Sequence, residues 1–142
     1  GARVHVQEHQ YVNTTISEAK LMLDMFYTGF FPACLSYQTE LAKNHYKVQQ
    51  AIGSFTERSK EFLLDISSKI EKALEIASAL KSELEVASSL GEEQKLLAFS
   101  SRVQLQMSLL RKAVDALEGL ISDEKWPFPK YSEMLFCMGS CY

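Results

Sequence analysis

No stretch of this sequence stays apolar for long enough to cross a bilayer. The richest, Met25–Leu35, reads MFYTGFFPACL and is interrupted by Thr28, Gly29 and Pro32, whereas a spanning helix needs about 20 apolar residues. The first ten residues, GARVHVQEHQ, lack the apolar centre of a secretory leader. They also lack an initiator Met, so Gly1-Ala2 reads either as an appended remnant or as the start of a piece cut from something longer. A basic surplus is missing too. The formal charge is −3, which gives no electrostatic support for phosphate backbones or for an anionic lipid surface. Nucleic acid and membrane are therefore not expected partners. Cysteine is sparse and odd in number, at positions 34, 137 and 141. That fits a reducing cytoplasm better than a secreted disulfide framework.

Catalytic signatures are equally scarce. The six glycines are scattered, so no phosphate-cradling loop can form from adjacent ones. A di-iron bundle needs Glu-x-x-His on two helices, but neither His9 nor His45 follows a Glu at that spacing. His5-Val-Gln-Glu8 has the order reversed and stands alone. Cys137-Met-Gly-Ser-Cys141 matches neither C-x-x-C nor a four-ligand zinc set, and it reads as a tail. Serines abound only as cap and helix-face residues. No catalytic, cofactor-binding or metal-binding residue is expected among these 142.

What is present is helical periodicity. Thr15-Ile16-Ser17-Glu18 has the form of a capping box, which predicts a first helix over 16–52. Positions 19, 23, 26, 30, 34, 37, 41, 45 and 48 recur about every 3.6 residues. The stripe keeps its phase through Pro32, so one helix with a kink is expected, eased by Gly29. Met22, Met25 and Phe31 lie off the stripe and predict burial on more than one side. Gly53 suits a helix stop, and Ser54-Phe55-Thr56-Glu57 is a second capping box. A second helix over 54–90 follows, with a seam from Leu63 through Ile66, Ile70, Ala73, Ala77, Leu80 and Leu84 to Ala87. Its spacing is close to the coiled-coil 3.5. Gly91 stops it, Glu92-Glu93 open a third helix over 92–121, and its stripe runs from Leu96 to Ile121. The first residues are ambiguous, since Arg3–Val6 alternates like a strand. Connections this short make neighbouring helices antiparallel. The expected fold is an all-α, antiparallel three-to-four-helix bundle of comparably long helices.

The end of the chain breaks this pattern. In EKWPFPKYSEMLF, residues 124–136, Pro127 and Pro129 push Trp126 and Phe128 out of the α region. An extended strap is expected. It is either a packing element with Trp126, Phe128 and Tyr131 laid across the end or groove of the bundle, or a proline-rich ligand for another protein. Arg111 and Asp115, one turn apart, are expected to form an ion pair.

Two segments resemble a known family. The stretch NTTISEAKLMLDM followed by FFPACLSYQTELA resembles the region after the catalytic domain of type III glutamine synthetases. The matching positions are Asn13, Thr14, Glu18, Ala19, Met25 and Pro32, then Ala33, Tyr37, Glu40, Leu41 and Ala42. MSLLRKAVDALEGLISDEKWPFPKYSEMLF resembles that family's C-terminus through Met107, Leu110, Arg111, Asp115, Leu117 and Glu118. Trp126, Pro127, Pro129, Tyr131, Leu135 and Phe136 complete that match. Thr15 and Phe31 depart from the usual residues, and the middle, about 49–99, agrees only as helix.

The resemblance implies a single helical C-terminal domain, residues 1–142, without the catalytic domain of an ATP-dependent glutamate–ammonia ligase. It also implies a cytoplasmic homo-oligomer, with ATP and Mg²⁺ or Mn²⁺ held by the catalytic part of the same protein. Pro32, Tyr37, Arg111, Asp115, Trp126, Pro127, Phe128, Pro129 and Tyr131 are then structural or interface candidates. Two alternatives stay open: a free-standing helical protein–protein interaction module, and an independent bundle enzyme with tightly bound metal.

Overall fold

The computed structural model describes residues 2–54 and 57–126, with side chains from residue 6. Every described element is helical. The first rod comprises α1 (Ala2–Met25), a π turn (Phe26–Phe30) and α2 (Phe31–Ile52). The second is α3 (Glu57–Ser88). The third comprises α4 (Glu92–Ala98), a second π turn (Phe99–Val103) and α5 (Gln104–Glu118).

The first rod begins earlier than its capping box predicts. Helix already covers 2–14, so Thr15 caps nothing and no strand forms over Arg3–Val6. Thr15 is instead buried, and its hydroxyl accepts a bond from the Gln104 side chain of α5 at 3.4 Å. Val12 is buried as well. The apolar stripe thus extends backwards in phase as 12, 15, 19 and 23. The three rods are also not of comparable length. At 1.5 Å per residue the first is roughly 75 Å long, against roughly 48 and 40 Å for the others.

The irregularity in the first rod is a π turn just ahead of Pro32, which sits at the first turn of α2. The Phe31 amide reaches back five residues to the Phe26 carbonyl. A wider turn relieves the clash of a proline ring with the carbonyl four residues earlier. Each π turn leaves backbone acceptors poorly matched to amides, and hydroxyls fill in. Thr28 Oγ1 donates to the Asp24 carbonyl at 2.6 Å, and Ser101 Oγ to the Leu97 carbonyl at 2.6 Å.

Gly53 ends α2 with φ 74°, its amide on the Gln49 carbonyl at 2.7 Å. Only the left-handed region permits that reversal, which is why glycine stands there. The second capping box spans Phe55 and Thr56 and lies outside the described residues. The rods alternate in direction. Gln38 donates to Ser67 at 2.8 Å, tying α2 to α3. Arg102 faces Glu83 at 3.6 Å, tying the second π turn to α3. The first and third rods run parallel, because Thr15 meets Gln104 near one end and Phe30 meets Trp126 near the other.

The core is the α3 seam enclosed by the other two rods. Ile66, Ile70, Ala73, Ala77, Leu80, Leu84 and Ala87 are all buried, and Leu63 half-buried. The alanines let a neighbour approach closely, and α5 packs along α3 far more extensively than against α1. Phe99, Val103, Met107, Leu110 and Leu117 close the core from the third rod.

Candidate functional site

Because α5 follows α3 closely, a groove opens between the parallel helices α1 and α5. Its volume is about 400 Å³. On the α1 side it is walled by Leu21, Met22, Met25, Phe26 and Phe30, and on the α5 side by Met107, Leu110 and Val114. Phe26, Met107 and Leu110 are buried and form the floor, while Met22, Met25 and Val114 are half-buried and Leu21 is exposed. The floor is therefore all carbon and thioether. Among the described residues, the polar lining is Glu18, Asp115, Glu118 and Arg111, at the rim.

Such a floor offers a carbon surface with methionine walls that adapt to irregular shapes. Among the described residues, no three His, Cys, Asp or Glu side chains come together as a metal site. No helix there is long and apolar enough to cross a membrane.

The residues singled out from sequence separate into three groups. Arg111 and Asp115 both lie on the groove rim, but they form no ion pair among the described residues. On an exposed helix face such a pair is worth a few tenths of a kcal/mol, about what holding two long side chains together costs. Trp126 is buried with its ring 5.0 Å from that of Phe30, a groove-lining residue. Pro32 is exposed on the outer face of α2 beside Lys125, and Tyr37 is half-buried against the core. Pro127, Phe128, Pro129 and Tyr131, with the rest of the strap, lie outside the described residues. Sequence reasoning missed Glu18 as a groove residue by assigning it to a cap. The in-phase stripe through Val12 and Thr15 was the available signal that the helix starts earlier.

Residues 1–49 match the family model described as glutamine synthetase C-terminal domain. A type-3 glutamine synthetase of Dictyostelium discoideum is 29% identical over 125 residues, covering 84% of this chain and 17% of that protein. A glutamine synthetase of Bacteroides fragilis is 26% identical over 141 residues, covering 94% of this chain and 19% of that protein. The chain is thus similar over residues 1–49 to the glutamine synthetase C-terminal domain, and over most of its length to these two glutamine synthetases. It spans under a fifth of the length of these curated relatives. The two segments that carry the glutamine synthetase resemblance meet in the groove. Glu18 and Met25 come from the first, and Met107, Leu110, Arg111, Asp115 and Glu118 from the second. Positions about 90 residues apart in the chain thus line one cleft.

Proposed function

We propose that this chain is the structural and assembly domain at the C-terminus of an ATP-dependent glutamate–ammonia ligase, a glutamine synthetase of nitrogen assimilation. Similarity over most of this chain to glutamine synthetases carries the reading. On it, glutamate, ammonia, ATP and Mg²⁺ or Mn²⁺ are handled by a catalytic part outside these residues. The bundle supports that part and the packing of subunits in a cytoplasmic homo-oligomer. The strap serves to lock the bundle end, beginning from Trp126 against Phe30. No ligation step is assigned to these residues.

The test uses the intact polypeptide that carries this domain. Phosphate release with ATP, glutamate and ammonia should be robust. Deleting the domain should abolish both turnover and the assembled state in size-exclusion chromatography. An intact protein without ligase turnover, or a deletion that assembles and turns over normally, sinks the proposal. Manganese-dependent γ-glutamyl transfer by these 142 residues alone would contradict the placement of the chemistry elsewhere.

A further inference from the structure

We infer that residues 127–136 of this chain's own tail lie in the α1/α5 groove, entering it at Phe30 and running down toward Glu18. The inference goes beyond the functional reading above and holds whether or not that reading does. It closes the groove from within the chain.

The described chain ends beside the groove. After α5, buried Leu117 and Ile121 hold the third rod to the core. Two turn hydrogen bonds follow, from the Lys125 amide to the Ser122 carbonyl at 3.0 Å and from the Trp126 amide to the Asp123 carbonyl at 3.3 Å. The last two residues then meet the first rod in descending order. Lys125 shares a cleft with Pro32 and Glu40 of α2, whereas Trp126 packs on Phe30, which lines the groove. The covalently next residue therefore starts at the end of the groove away from Glu18. A segment tethered this closely has an effective concentration of about millimolar, and any segment from elsewhere must displace it.

Length and composition fit this seat. From Phe30 down to Glu18 the α1 wall covers twelve residues, roughly 18 Å. Pro127 and Pro129 favour the polyproline conformation, which turns once in three residues and advances about 3.1 Å per residue. In that conformation Phe128, Tyr131 and Met134 share one side and span roughly 19 Å from first to last. Three large side chains thus match the length of a trough floored by Phe26, Met107 and Leu110. Its α1 wall carries Met22 and Met25, and thioethers pack favourably on aromatic rings. Lys130 and Glu133 fall together on another side of the segment, which suits solvent.

Peroxide oxidation of the full chain, followed by peptide mapping, tests this directly. Met22 and Met25 are half-buried, and a seated tail shields them from peroxide. The double change Phe128→Ser and Tyr131→Ser alters none of the described residues. It should raise the oxidation rate of both methionines about tenfold, the factor that burial of a single aromatic ring supplies. Ending the chain after Trp126 should do the same. Phe128→p-benzoylphenylalanine gives a second reading that does not depend on stability. Irradiation should join position 128 to Met25 or another groove residue of the same chain. Three outcomes overturn the inference: equal oxidation rates in the full chain and the double variant; photochemical joining to the cleft beside Pro32 and Glu40 instead; or joining between two chains.

Discussion

Cys34 lies on the first turns of α2 with only 2% of its surface exposed. Burial disfavours the thiolate and pushes the thiol from 9.0 up to about 11. Such a thiol is an inert small hydrophobe rather than a nucleophile. Iodoacetamide at pH 8 should leave the Cys34 peptide unmodified in the native protein and modify it fully in denaturant. The shift also fixes a pH dependence. The folded state keeps the proton that the unfolded state loses, so the contribution is complete below pH 9 and disappears as pH climbs to 11. Its ceiling is about 3 kcal/mol. Wild type should therefore lose its stability advantage over Cys34→Ala across that window; a constant gap in unfolding temperature would contradict the burial argument. Trp126 gives a second residue-level prediction. Its ring is 7% exposed and tilted 32° onto Phe30. Trp126→Ala should cost about 3–5 kcal/mol, a drop in Tm of about 10–17 °C. A shift of only a degree or two would show that the strap's first aromatic is not a packing element.

At the scale of elements, the two glycine stops behave differently despite similar sequence roles. Gly53 has φ 74° with open space around its Cβ position, and Gly91 is an ordinary extended N-cap, also in open space. Gly53→Ala should destabilise by about 1 kcal/mol through backbone strain alone. Gly91→Ala should cost less than that, because its φ is open to alanine and the N-cap preference for glycine is offset by a restricted unfolded chain. Chemical denaturation of the two variants decides whether the left-handed cap matters. The α3 seam and the third-rod stripe were legible because an apolar residue every three or four positions leaves little choice about which face is buried. The start of α1 was not. A Thr-x-x-Glu sequence caps only when the residues before it leave the helix, and here tertiary contact with Gln104 makes Thr15 a core residue. The π turns were not expected as such. Pro32 announced an irregularity in the first rod. The second, at Phe99–Val103, rests on Ser100 and Ser101 bonding to a backbone carbonyl, and serine is too common on helices to signal it. The groove could not be read from either helix alone, since it arises from the separation of α1 and α5.

At the scale of the whole molecule, unequal rod lengths divide the structure in two. As far as about Cys34, the first rod has both others beside it. Further on, among the described residues, α2 packs chiefly on α3, with Lys125 sharing a cleft beside it, and burial declines accordingly. Cys34 is buried, Tyr37, Leu41 and His45 are half-buried, and Val48 and Ile52 are exposed. The same gradient appears on α3, from buried Ile66 through half-buried Leu63 to exposed Phe62. A two-helix arm of this kind buries less apolar area per residue than the three-rod region, so it opens locally at lower free energy than global unfolding. Native-state hydrogen exchange should show amides of 41–52 and 57–63 exchanging through sub-global openings, while those of 66–87 exchange only with global unfolding. Truncation should follow the same divide. Ile66→Ala leaves a cavity in the three-rod core and should cost about 2–5 kcal/mol. Leu63→Ala removes a half-buried side chain that solvent already reaches and should cost less. Equal protection in the two regions, or equal cost at the two positions, would mean that a third surface covers the arm and completes the bundle along its whole length.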